Sequence, residues 1–398
     1  MGDCYTRATM TALSDVRILD LSRLLPGGFC TLLLADLGAD VIKVEDTDSG
    51  DYLRWMGEMV DEYAAMFHAM NRNKRSVALN LKTDAGRAAF LDLVATADVV
   101  LESFRPGVLQ RLRLGYDTLA ERNPAVVLCS ITGYGQDGPY ESRAGHDLNY
   151  AALSGALSVS GECDGLPAMP GLQAGDLGAG ALHAAVAILA ALRQREQTGR
   201  GQHCDIAMLD GLVGWMAYNA ATVFAGGVLP RAGQTLLNGR YPCYRVYRCA
   251  DGAVSVAALE PKFWTALVAA LGLAHLGGDG FAEGAEGARV AAEVQSALMG
   301  RTRAELAQLG ADADVCCEPV LDVSEVFAHP QVIHRGMEIP AGAAGPVAQV
   351  ACPIRLSDSP ATLRRGAPAW GGDTRDVLRE AGYDTAAINA LATEGAIR

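Results

Sequence analysis

Val16-Arg17-Ile18-Leu19-Asp20-Leu21, then Pro26-Gly27-Gly28 leading into residues 29–37, then Gly38-Ala39-Asp40 and Val41-Ile42-Lys43-Val44-Glu45, is the stretch that decides the fold. Its first part is a short apolar run of the kind a buried strand carries. Pro26-Gly27-Gly28 opens a helix whose apolar residues recur at helical spacing through Leu37. Gly38-Ala39-Asp40 stops that helix, and Val41 to Glu45 is the next strand.

Working outward, residues 76–81, 98–102, 125–130 and 203–206 read as further strands. Residues 84–97 and 176–196 read as helices, as does 209–224, with a helical connection over 109–121 and a short helix over 148–154. Strands alternating with helices imply an α/β fold, a Rossmann-like large domain with a mostly parallel sheet covered on both faces. No GxGxxG follows the first strand, so a dinucleotide is not implied. The pattern changes after Gly226. Residues 240–248 and 253–259 alternate around Ala250-Asp251-Gly252 and form a hairpin. A helix from Lys262, a Gly/Glu/Ala-rich loop over 277–287, short helices at 304–310 and 324–329 and a strand at 317–321 complete a smaller α+β domain. A final helix is expected near 373–381. The expected organisation is a large domain over 1–227, the small domain over 228–330, and a segment over 331–398 returning to the large domain.

Composition narrows the function classes. A chain of 398 residues can bury a sizeable core in two domains. A net charge of −13 argues against non-specific nucleic-acid binding, which needs a basic face. Ten cysteines are present without a CxxC pair, so a zinc site is not expected and free thiols in a reducing cytoplasm are. Residues 1–15 lack the charged start and apolar core of a signal peptide. The longest apolar run, 179–192, contains His183 and is shorter than a membrane span needs. A cytoplasmic protein without membrane partners is expected.

Two short motifs carry candidate chemistry: Ala144-Gly145-His146-Asp147-Leu148-Asn149-Tyr150 and Gly175-Asp176-Leu177-Gly178-Ala179-Gly180. Asp176 can be read as a helix N-cap or as a proton carrier. Gly178 and Gly180 leave the first helical turn nearly bare, and its N–H groups could hold an oxyanion. His146 can be a structural histidine or a base suited to a carbon acid, with Asp147 capping the short helix that follows. Two proton carriers in one pocket suit removal of a proton from one face of a carbon and its return to the other. Glu260, before Pro261, reads alone as a helix-start acid. Asn71-Arg72-Asn73-Lys74-Arg75 reads as a solvated basic edge, whereas Arg105 and Arg111, beyond a strand end, could pair with phosphates.

Taken with Leu19-Asp20-Leu21-Ser22-Arg23, Leu34 through Glu45, Asn73-Lys74-Arg75-Ser76, Phe104-Arg105-Pro106-Gly107-Val108 and Gly133-Tyr134-Gly135-Gln136-Asp137-Gly138-Pro139, the chain resembles the family III CoA-transferase and α-methylacyl-CoA racemase superfamily (CaiB/BaiF-like). The motif around His146 and Ala258-Leu259-Glu260-Pro261-Lys262-Phe263 resemble the racemase branch. The resemblance implies that His146 and Asp176 are paired acid/base residues, with Glu260 supporting the histidine. It implies a CoA site at Ala78, Leu79, Asn80, Leu81, Glu102, Ser103, Phe104, Arg111, Ala144 and Gly145. In the transferase branch the residue matching Asp176 is a nucleophile that carries CoA as a thioester. Asp46 departs from the basic residue racemases often have there. An interlocked homodimer is also implied, as is an acyl-CoA substrate with no metal or redox cofactor.

Overall fold

The quoted stretch folds as strand β1 (Arg17–Asp20), helix α1 (Leu25–Asp36) and strand β2 (Asp40–Glu45). The helix starts earlier than the glycines suggest, because Pro26 needs no hydrogen-bonded N–H in a first turn. Strands β1 and β2 pair in parallel, Leu19 opposite Ile42. The computed structural model describes residues 11–161 and 165–398. Two compact units emerge: Met1–Leu153 with Leu172–Trp215 and Pro330–Arg398, and Ser154–Gly171 with Met216–His329.

The first unit is built on six parallel strands. After β1 and β2 come β3 (Lys74–Ala78), β4 (Val99–Glu102), β5 (Val127–Thr132) and β6 (His203–Ala207), in the spatial order β3-β2-β1-β4-β5-β6. Such an order reverses direction between β1 and β4, and ligands of doubly wound sheets settle beyond the strand ends at that reversal. Helices α2 (Asp84–Val94), α3 (Asp147–Leu153), α4 (Ala174–Thr198) and α5 (Met208–Trp215) belong to this unit. An apolar core runs from Leu19, Ile42 and Val100 to Phe90 and on to Val377 and Ile388 of the C-terminal helices.

Several expectations are corrected here. The helical connection over 109–121 is two short helices, Val108–Arg111 and Tyr116–Arg122, interrupted where Arg113 takes φ 59°. The apolar stretch 209–224 breaks into α5 and α6 (Ala217–Phe224) at Met216, where the two units divide. Residues 154–171 belong to the second unit, bound there by Ala232 N–H donating to Ser158 O at 3.1 Å and by Asn238 Nδ2 donating to Val159 O. At 25 residues, with an apolar window of mean hydropathy 1.6, α4 is long and apolar enough to cross a membrane, because it begins at Ala174 rather than inside the apolar run. More than half of that apolar window, 56%, is buried within the protein.

The expected basic edge is interior. Arg72, Asn73 and Lys74 are buried. Arg72 pairs with Asp36 at 2.6 Å, and Lys74 reaches Gly28 O at 2.9 Å, Asn71 Oδ1 at 3.0 Å and Asp20 at 3.5 Å. Beside them Lys43 meets Asp51 at 2.7 Å and Arg54 meets Glu45 at 2.7 Å. The sheet's ends are thus filled with matched charges.

The second unit carries a three-stranded antiparallel sheet, β7 (Tyr244–Cys249), β8 (Gly252–Ala257) and β9 (Cys317–Pro319), in the order β9-β8-β7. Helices α7 (Pro261–Ala270), α8 (Gly284–Met299) and α9 (Arg303–Ala313) complete it. Helix α8 takes up part of the expected loop. Trp264, Leu267, Val254, Val290 and Val294 form its core, and Trp264 Nε1 donates to Leu276 O at 2.7 Å.

Candidate active site

A cavity of about 270 Å³ opens in the first unit, beyond the ends of β1, β4 and β5. It is lined by Arg23 and Leu24 after β1, Ser103 to Pro106 after β4, Thr132 to Tyr134 at β5, the segment 143–146, Tyr150 and Asp176. His146 and Asp176, from separate motifs, therefore line the same cavity. Ligand cavities run roughly 300–1,000 Å³, so this one suits the reacting end of a larger molecule.

Asp176 sits in the first part of α4, where residues Ala174–Leu182 wind as a π-helix before continuing as α-helix His183–Thr198. Such segments are rare and recur at functional sites. Gly178 is required by packing, since a Cβ there would lie 1.9 Å from the Trp215 ring. Gly175 is required in the same way, by Asp147 Oδ1 at 2.8 Å from a Cβ. Asp147 does not act only on its own helix: its Oδ1 accepts the Asp176 N–H at 2.9 Å.

The expectation of bare N–H groups is corrected by the same contact. The Asp176 amide is taken by Asp147, and those of Ala174 and Leu177 by Leu172 O and Gln173 O at 3.1 and 2.9 Å. Burial, and then the Asp147 carboxylate, push the Asp176 acid up to about 6, against a smaller opposite pull from His146. A carboxyl titrating near neutrality can both take and give a proton.

His146 is exposed, in the turn that starts α3. Its N–H donates to Asn149 Oδ1 at 3.0 Å, and its carbonyl accepts Asn149 N–H at 2.8 Å, which fixes the turn and leaves the imidazole on the cavity. Tyr150 Oη donates to Gly145 O at 2.6 Å and holds the Ala144-Gly145 backbone on the wall. Leu24 takes φ 61°, rare for a non-glycine residue, with its N–H tied to Asp51 Oδ1 at 3.1 Å. Such backbone costs about 1–3 kcal/mol and survives where surrounding structure imposes it. Here the buried Lys43–Asp51 pair does so.

A second, mostly apolar cavity of about 210 Å³ lies beside β1, β2 and β3. Leu79, Asn80, Leu81 and Phe104 line it, and Arg23 and Phe104 belong to both cavities. The two shared residues follow β1 and β4, the strands that flank the reversal of the sheet.

The remaining sequence-derived positions fall elsewhere. Ala78 is fully buried, its N–H donating to Thr374 Oγ1 at 3.0 Å, so it supports the second cavity without facing it. Glu102 is also buried; its Oε2 accepts the Phe104 N–H at 2.6 Å, and burial pushes its carboxyl up to about 7. Arg111 is exposed and lines neither cavity. Glu260 belongs to the second unit, at the N-cap of α7 without a side-chain capping bond. Sequence reasoning missed the lining residue Arg23 and the tie between Asp147 and Asp176. Neither shows in local sequence, because their partners are 23 and 29 positions away.

The family profile described as CoA-transferase family III matches residues 13–374. The succinyl-CoA:mesaconate CoA-transferase of Haloarcula marismortui is 35% identical over 94% of this chain and 98% of that protein. The alpha-methylacyl-CoA racemase of Mus musculus is 34% identical over 95% of this chain and 96% of that one. A CAIB/BAIF family protein from Brucella suis superposes with a TM-score of 0.83 at 34% identity, over 93% of this chain and 99% of its own.

Proposed function

This chain belongs to CoA-transferase family III, and from that premise we propose that it is a racemase of 2-methyl-branched acyl-CoA thioesters. The observation that carries this reading is that His146 and Asp176 line the same cavity, with the Asp176 acid raised to about 6. The thioester acidifies the α-proton. One of the two residues removes it and leaves an enolate; the other delivers a proton to the opposite face, so the proton count is unchanged. With the amides of Ala174, Asp176 and Leu177 already bonded, Arg105, which lines the same cavity, is the proposed source of positive charge for the enolate oxygen. Leu79, Asn80, Leu81 and Phe104 would hold the nucleotide end of CoA, and Ser103, Ala144 and Gly145 the pantetheine arm. Glu260 enters as a proposed support for the imidazole.

A second reading is favoured by the half-buried, glycine-flanked setting of the Asp176 carboxylate, which leaves it open to an acyl carbon. Asp176 would attack the thioester, displace CoA as thiolate and form a mixed anhydride. CoA would then attack the aspartyl carbonyl and release the carboxylate, leaving an aspartyl-CoA thioester. One experiment separates the two. The protein is incubated in deuterated water with a chiral 2-methylacyl-CoA and no acceptor acid, and the α-proton is followed by NMR. Racemisation predicts deuterium incorporation with loss of chirality, both abolished in His146→Ala. Exchange that persists unchanged in His146→Ala sinks the two-base scheme. No exchange, with a covalent adduct on Asp176, selects transfer.

A further inference from the structure

The second cavity carries an unusual charge arrangement for a nucleotide site. Its rim holds Asp46 and Asp48 against Arg23 and Lys82, while Glu45 turns inward to Arg54 and Ser76. Arg23 is already engaged. Its Nη2 pairs with Asp46 Oδ2 at 2.5 Å, and its Nη1 donates to Tyr52 Oη at 2.8 Å. The other oxygen of Asp46 accepts the N–H groups of Asp48, Ser49 and Gly50 at 2.9, 2.7 and 3.1 Å. Successive amides converging on one point make an anion-binding concavity. In this chain the concavity and the guanidinium beside it are both filled by the protein's own carboxylate. Partial burial raises the Asp46 acid, but the three amides and Arg23 outweigh it and hold the group below the usual carboxylate range.

Position adds to charge. Asp46 directly follows β2 in a sheet of order β3-β2-β1-β4-β5-β6. In sheets wound this way, an acid beyond the second strand accepts hydrogen bonds from ribose hydroxyls, and a nearby cation is what accommodates a phosphate on that ribose. The apolar floor of Leu21, Val44, Leu79 and Leu112 suits a planar base. We propose that Asp46 makes this cavity a reader of an unphosphorylated ribose, so that thioesters of 3′-dephospho-CoA serve this protein at least as well as thioesters of CoA. The inference rests on the acyl-CoA reading above and narrows its substrate class.

The test is calorimetric binding of free CoA and free 3′-dephospho-CoA to the full chain, with kcat/KM for the matching 2-methylacyl thioesters. Kd for the dephospho form is expected to equal or fall below that for CoA. Asp46→Arg is expected to shift the ratio towards CoA by about tenfold, the scale of a charge reversal at a partly screened site. Asp46→Asn keeps an oxygen for the turn amides and is expected to shift it the same way, by less. A wild-type protein that binds CoA more than about tenfold tighter overturns the inference, as does a ratio indifferent to both substitutions; should the arginine variant fail to fold, the wild-type ratio decides. If neither nucleotide binds, the acyl-CoA reading itself fails, a separate outcome.

Discussion

The two units hold their sheets together by opposite means. In the first, charge is inside: Asp20, Asp36, Lys43, Glu45, Asp51, Arg54, Arg72 and Lys74 are all buried, on the strands or in the segments next to them. In the second, no charged residue is among the buried ones described, and its ion pairs, such as Arg289–Glu286 and Arg240–Glu283, sit in solvent. Its interior is Trp264 with Leu, Val and Cys side chains. An apolar core gains from area alone. A buried pair gains little over a hydrophobic replacement, but it is severe to break and it fixes geometry. The charged interior belongs to the unit that must hold Leu24, Arg23 and the cavity walls in place.

The largest effect expected from breaking this contrast is at Arg54. Arg54→Ala leaves Glu45 buried without its partner and should lower the stability of the first unit by about 3–5 kcal/mol, read by hydrogen exchange across β2 and β3. Trp264→Ala should cost the second unit about 3–5 kcal/mol through a cavity, and exchange should rise in β7 and β8 instead. Protection lost equally in both units for either substitution would erase the distinction.

A smaller effect sharpens it. Asp176 has a folded acid near 6 against 3.8 unfolded, so its contribution is favourable below the unfolded value and is lost as pH rises through the folded one. Asp176→Asn should therefore stabilise the first unit by about 1–3 kcal/mol at pH 8, with no gain below pH 4, while abolishing turnover. Melting curves at both pH values check this, and a gain that grows towards acid would reverse the sign. The smallest effect is expected at Arg289, whose pairs are exposed and screened by solvent; the urea midpoint of Arg289→Ala should stay close to that of the parent protein.

The strand-helix-strand opening was legible because Pro and Gly punctuate apolar runs there, and β4, β5 and α2 were legible for the same reason. The motifs of His146 and Asp176 were legible as chemistry, and both line the cavity. What sequence could not carry was the location of charge. Lys43 in an apolar run and Lys74 in a basic run look alike as solvated residues, yet both are buried because carboxylates meet them, Asp51 from the loop after β2 and Asp20 from β1, two strands away from Lys74. Nor did periodicity reveal the π-helix, since Leu177 and Leu182 are the large apolar side chains among its nine residues, too few to mark a face. Asp147 read as a cap because a cap needs only local sequence, whereas its bond to the Asp176 amide depends on how α3 and α4 pack.

That wide turn at Ala174–Leu182 has a genetic meaning. A π-turn is an α-helix with residues to spare, so excising a single position between 177 and 182 would let ordinary winding resume. The helices on either side would keep their places, because a surplus residue is what the wide turn absorbs. The same deletion within the α-wound part, His183–Thr198, would instead turn everything on one side of it by about 100°, the angle of one residue in 3.6 per turn. The wide turn is therefore the place in this helix where the fold is expected to tolerate the loss of a codon.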